Sequence, residues 1–294
     1  MLEHLWSAYD PDGMLYLMND SVYSYYANIQ GRRLPAASVI ATRVPYQSGQ
    51  VIRGVYIPHK VVTLSFAIKH DSAAQLEAYL DARESFLNPD KVPEDPTADD
   101  LFILRHVNLN GQVRHIRGVF ISMEDILEGP VYADVIHQFV AYEPFSYDPT
   151  LHSESLGLPG GTGFSIPLTV PISLAATTID GRIYINNAGD AKTWPIIRIT
   201  GPCDNPTIEN ETTAQTMAIT QAQDAGDYIE VDMEAATVKW YDSSTVTLFN
   251  IITGISATSE FWALAKGNNT IHIIAAGAAG GTITVSYYLR YASI

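Results

Sequence analysis

Eight histidines, one cysteine and a few adjacent carboxylates are the residues of this sequence with chemistry to offer. Their spacing assembles no catalytic machinery. No His-Glu-x-x-His run sets two imidazoles one helical turn apart for zinc. His152-x-Glu154 is a lone pair in a loop, short of the ligand count of a zinc site. Cys203 is the sole cysteine, which excludes an intrachain disulfide and a cysteine-based metal site. No Gly-x-Ser-x-Gly elbow lifts a serine nucleophile onto a strand-to-helix turn. Asp99-Asp100 and Glu124-Asp125 are neighbours in sequence, so each pair diverges on a strand or lies in a loop. A glycosidase needs two carboxyl groups about 5–9.5 Å apart across a cleft, and no spacing here nominates one. The glycines of 157–163 invite a phosphate-binding reading but lack the Gly-Lys-Ser/Thr ending of a P-loop. Arg114 and Arg117 flank His115 on a strand and read as a solvated face. His106 and His115 read as a cross-strand surface pair around Asn110-Gly111. No catalytic, cofactor-binding or metal-ligating residue is nominated. The chain reads as a structural subunit, not an enzyme.

Aromatics are the more informative class, with 17 tyrosines and 4 tryptophans. Tyr23, Tyr25 and Tyr26 cluster early; Tyr287, Tyr288 and Tyr291 cluster late. Core packing accounts for most of them. Tyrosine also covers interface area at low entropic cost. A sugar-stacking platform is the third reading, with Trp194 and Trp262 as candidate contacts, although Trp262 reads first as core.

The elements that must position these residues are mostly strands. The 294 residues suggest two domains, and a 47% hydrophobic, 17% charged composition is that of an ordinary globular protein. In the first half, residues 14–18 and 22–29 read as strands and 30–35 as a turn. Residues 36–54 form an extension with few large side chains, which cannot cover itself. It is either a flexible loop or covered by a neighbouring subunit. Residues 60–69 alternate, with Val62, Leu64, Phe66 and Ile68 on one face. A helix follows, with Asp71 or Ser72 as N-cap and Ser72 with Gln75 fitting a capping box. Leu76, Tyr79, Leu80, Arg83 and Leu87 mark its inner face, and Asn88-Pro89 stops it. Residues 101–107 and 113–121 form a hairpin whose Asn110-Gly111 tip predicts a type I′ turn, and 131–142 add a last strand.

The second half begins after Gly157–Gly163, read as a linker. Strand candidates follow at 166–174, 182–186, 194–200, 207–210, 216–220, 228–232, 237–241, 247–251, 269–275 and 282–291, with no convincing helix. Short strands at this spacing suggest a β-sandwich.

The net charge is −15, shared almost equally by the halves, so neither is a basic module for nucleic-acid phosphates. The acidity either keeps the protein soluble or faces a nucleic acid that must pass without sticking. Residues 1–6 carry no basic n-region or apolar h-region of a secretory signal, and no run approaches 18 apolar residues. A soluble protein folding in a reducing compartment is expected, with no membrane insertion.

Taken in order, these segments resemble a known family. The first half resembles the N-terminal domain of siphophage distal tail proteins. Val62-Thr63-Leu64-Ser65-Phe66 leads directly into helix 73–87. Hairpin 104–114 follows, and Val135 to Phe145 closes the domain; Glu143 stands where the family often has Asp. The second half adds Asn186 to Asp190, Trp194 to Pro202, and Phe261 to Ile271, similar to the family's Trp-x-x-Leu-x-x-Gly-x-Asn segment.

The resemblance implies a mainly β protein with one helix. Residues 1–150 would be a tail-tube-like β-sandwich with a belt extension at about 30–55 and its helix at about 72–88. Residues 151–163 would be a linker, and 164–294 a galectin-like β-sandwich. It implies a homohexameric ring at the distal end of a tail tube, joining the tube to the tip hub or tail-associated protein and lining a channel for DNA. Val39, Ile40, Val44, Tyr46, Gly49 and Val51 would be the inter-subunit belt. Side-fibre or receptor-binding proteins would be further partners. The location would be the virion tail tip, after assembly in the host cytoplasm. The alternatives are a tail tube protein with an extra surface domain, or a carbohydrate-binding module acting in adsorption. No cofactor is implied.

Overall fold

The computed structural model describes residues 5–19, 24–43, 48–157, 179–276 and 281–294. The stretch 158–178, which holds residues 158–163 of the expected linker and the first expected strand of the second half, lies outside these, while His152–Gly157, also expected as linker, form a paired strand instead. The chain divides into two compact units: Met1–Pro149 with Tyr291–Ile294, and Thr150–Arg290.

In the first unit the strands are β1 (Leu5–Tyr9), β2 (Leu15–Leu17), β3 (Ser24–Gln30), β4 (Ser38–Arg43), β5 (Gln50–Tyr56), β6 (Lys60–Lys69), then helix α1 (Ala73–Leu87), β7 (Phe102–Val107), β8 (Val113–Glu128), β9 (Tyr132–Ala141) and β10 (Ser146–Tyr147). One antiparallel sheet runs in the order β2-β1-β7-β8-β9-β6-β3, with β10 beside β8. Alternation builds its core. On β6 Val62, Leu64, Phe66 and Ile68 are buried, and on β9 Ala133, Val135, Phe139 and Ala141. The helix covers this face with Leu76 and Leu87, flanked by Tyr79 and Leu80. Ser72 is its N-cap: the hydroxyl accepts from Gln75 N (3.4 Å) and donates to Gln75 Oε1 (3.2 Å).

Two expectations need correction here. The β7–β8 tip is not a type I′ turn, because Gly111 has φ +76° while Asn110 does not have positive φ. Gly111 N donates to Asn108 O (2.9 Å) and Asn108 N to Gln112 O (3.0 Å), as in a type I turn closed by a left-handed bulge residue. His106 and His115 do not face each other either. His106 is opposite Arg114, and His115 opposite Arg105, so the two imidazoles lie on opposite faces. His106 is buried and stacked on Trp6, with ring centroids 4.2 Å apart.

The second unit is all strand apart from one short 3-10 turn, among the described residues. Its strands are β11 (His152–Gly157), β12 (Ile179–Asn187), β13 (Ile196–Thr200), β14 (Cys203–Asn210), β15 (Gln215–Ala218), β16 (Ala222–Gln223), β17 (Tyr228–Asp232), β18 (Thr237–Asp242), β19 (Thr247–Asn250), β20 (Gly267–Ala276) and β21 (Thr282–Tyr287). They form two sheets of a β-sandwich, β11-β21-β13-β17-β18-β19 and β12-β20-β14-β15, with β16 beside β14. Ile197, Ile199, Val231 and Val285 are buried from one sheet, and Ile183, Ile208, Ile271 and Ile273 from the other.

Residues 291–294, expected to finish the second sandwich, belong instead to the first unit. There Ser293 bridges Arg33, and Ile294 is 5% exposed in the first unit's core. No helix of the described residues is long and apolar enough to cross a membrane.

Candidate functional site

The most conspicuous surface of the first unit is the β4–β5 hairpin. Among the described residues the two strands pair only with each other. Val39, Ile40, Val51, Ile52, Val55 and Tyr56 are all 44–64% exposed. Single exposed apolar residues need no explanation, but a contiguous group of this size marks an interaction site. Of the six residues nominated from sequence, Val39, Ile40 and Val51 lie on these strands. Gly49 sits in the bend before β5 at φ +98°. Val44 and Tyr46 lie outside the described residues. Ile52, Val55 and Tyr56 join the set; the concentration of β-branched and aromatic residues in 51–56 was the signal available for them.

The hairpin leaves the sheet through a rigid root. Gly31 has φ +82°, and a Cβ there would stand 2.0 Å from the Val61 carbonyl oxygen, so only glycine fits. Next to it, the Arg32 carbonyl accepts two hydrogen bonds, from Lys60 Nζ (3.1 Å) and from Ile294 N (3.0 Å). Lys60 is buried, and burial pushes its ammonium down to about 8.

Behind the sheet face, Arg83 of α1 is fully buried. Its Nε donates to His137 Nε2 (2.7 Å), and Nη1 donates to Met18 O (3.1 Å) and Ser24 Oγ (3.3 Å). Its guanidinium lies 4.5 Å from the Phe66 ring centroid. Burial and the Arg83 charge push His137 far below the usual imidazole range. His137 therefore stays neutral and accepts at Nε2. These contacts clamp helix to sheet; none of them presents a nucleophile or an acid to solvent.

Beside this clamp, a groove of about 540 Å³ runs between the last turns of α1 and β8, lined by Asp81, Glu84, Leu87, Ile121 and Met123 among others.

The second unit offers less. Trp262 is 1% exposed, which leaves its ring no face for a sugar and corrects its nomination as a carbohydrate contact. Trp194 is half-buried beneath the Lys192 ammonium, 5.1 Å from the ring. On the outer face of β12, β14 and β20, His272 meets Asp180 (2.7 Å) and Arg182 meets Glu211 (2.8 Å), a mutually satisfied set of charges. Burial pushes the Cys203 thiol up to about 11, far from a reactive thiolate. Among the described residues no group of three or more His, Cys, Asp or Glu is placed to hold a metal. The first unit's most exposed apolar surface is thus this hairpin, held at its root by Gly31 and the Arg32 carbonyl.

Residues 188–291 match the family model of the siphovirus-type tail component, C-terminal domain. This chain is similar to siphophage distal tail proteins. The distal-tail fold spans both units. The crystal structure of SPP1 Dit, described as a paradigm of the hub adsorption apparatus in phages infecting Gram-positive bacteria, aligns with a TM-score of 0.61 at 14% identity, over 96% of this chain and 98% of that one. Chains of the phage P2 baseplate in its activated conformation, with calcium and with strontium, align with TM-scores of 0.52 and 0.51 at 9% and 8% identity, over 97% of this chain and 98% of theirs. At these identities the likeness to the distal tail structures is one of fold. No curated protein matches the sequence.

Proposed function

We propose that the protein is a structural subunit of a siphophage tail tip, a distal adaptor whose first unit closes, six copies head to tail, into a ring between tail tube and tip hub. The β4–β5 hairpin carries this reading. A two-stranded hairpin is marginal in water on its own, and this one turns its large apolar side chains outward. Covering each such side chain contributes about 1.5–3 kcal/mol before the costs of association. A hairpin from one copy covered by the next is a heterologous contact, and such contacts close into rings when the rotation allows. The tail-component match and the Dit-like fold support a place in the tail. In this reading acids on the inner wall repel the phosphate backbone and let DNA slide. The second unit is a peripheral platform for side-fibre or receptor-binding proteins.

Native mass spectrometry with negative-stain imaging tests the ring. The expected result is six copies around a central hole. Single copies at concentrations well above micromolar would overturn it. Copy number in the native tail separates an adaptor, present as one ring, from a tube protein, present as many.

A further inference from the structure

The segment that carries the hairpin is electrically unlike the rest of the chain. Residues 21–70 hold six of the seventeen Lys and Arg and none of the thirty-two Asp and Glu. Eleven basic residues remain elsewhere, against all the acids. Arg43 and Arg53 stand exposed among the hairpin's exposed Val and Ile side chains. The hairpin is therefore a basic, apolar projection on an acidic body.

Helix α1 shows the opposite sign. Glu77, Asp81 and Glu84 are exposed, while the helix's only basic residue, Arg83, is buried. Glu77 and Asp81 are four residues apart, and Asp81 and Glu84 three apart, spacings at which like charges repel along a helix by a few tenths of a kcal/mol. Glu84 also sits in the last turn, where the carbonyl end of the helix disfavours an anion, and no basic residue offsets it there. Placed against the helix's own stability, these acids call for a cation from outside. Asp81 and Glu84 rim the groove between α1 and β8, and Ile121, 56% exposed, lines it.

We infer that this groove seats the β4–β5 hairpin of a second copy of the chain. Arg43 and Arg53 meet Asp81 and Glu84, while the hairpin's Val and Ile side chains cover Ile121 and Met123. The inference rests on the ring reading and names the surface through which the ring closes. Strands of this length reach roughly 20 Å, enough to project beyond their own root. Within one copy, the hairpin's apolar side chains and the helix's acids are both left in water.

Charge exchange in the full chain tests it, with self-association followed by sedimentation velocity and native mass spectrometry. A hairpin variant carries Arg43→Glu and Arg53→Glu; a helix variant carries Asp81→Arg and Glu84→Arg. Each alone is expected to weaken self-association at least about tenfold. Mixed one to one, the two should co-assemble with alternating copies, since each supplies the charge the other lacks. The chain carrying all four changes should assemble as wild type does. The four positions are exposed, so melting temperatures should hold. Asp81→Asn with Glu84→Gln, which should show an intermediate loss, serves if the reversals unfold. A helix variant that self-associates like wild type, or a mixture that fails to co-assemble, overturns the groove as the seat and leaves the ring standing. A monomeric wild type overturns the ring reading itself.

Discussion

Lys60 shows how much a single buried position reports. It is 1% exposed and its ammonium donates to one backbone carbonyl, with burial lowering its pKa to about 8. Unfolded, it holds its proton to about 10.5. Between these values the unfolded chain binds more protons than the folded one, so stability rises with pH across that window. The full rise is about 3 kcal/mol at 1.36 kcal/mol per pKa unit. Denaturant midpoints at pH 8, 9 and 10 should rise for wild type relative to Lys60→Met; parallel curves would mean that the amine is solvated. Other single residues were only partly legible in the sequence. Arg83 was visible on the inner stripe of the helix, but its partners Met18, Ser24 and His137 are brought to it by three different strands and turns. His106 was misplaced because an imidazole carries no sign of burial in its type; the Trp6 ring that stacks on it comes from β1.

Among elements, strands with strict alternation and one capped helix were readable because burial imposes period two on β6 and β9, and Ser72 and Asn88-Pro89 punctuate α1. Strand β1 was missed: Leu5–Tyr9 is short, and its burial runs over three successive residues. The hairpin extension was legible as a segment with no core of its own, although the expected shortage of large side chains was mistaken: Val39, Ile40, Val51 and Ile52 stand exposed along it. Its root was not legible, because the close approach of Gly31 to Val61 is fixed only once β3 and β6 pair. Gly31→Ala should therefore destabilise the first unit by roughly 1–3 kcal/mol, the range of a forced backbone conformation. Thermal melts would check this, and an unchanged melting temperature would show the root to be pliable. The same variant should associate less well, since the hairpin leaves the sheet through that residue.

At the scale of the whole molecule, composition and turn spacing made two β-rich halves readable, but local signals could not show that residues 291–294 group with the first unit. That grouping depends on contacts far apart in sequence: Ile294 N to Arg32 O, nearly the full chain apart, and Ser146 Oγ to the Tyr291 carbonyl (3.3 Å), 145 residues apart. Ile294→Ala removes a buried side chain from the first core and should cost about 2–5 kcal/mol. Hydrogen exchange would place the loss in strands of the first unit. Loss confined to residues 150–290 would contradict the grouping.

The same return of the chain gives the second unit an unusual genetic status. From the first unit's standpoint, residues 150–290 are one long excursion that leaves after Pro149 and comes back at Tyr291. Insertions of whole domains succeed where the host's fold is completed on both sides of the splice. The excursion is thus a cassette with two fixed borders. Recombination could trade one such sandwich for another while the first unit keeps both pieces of its own core.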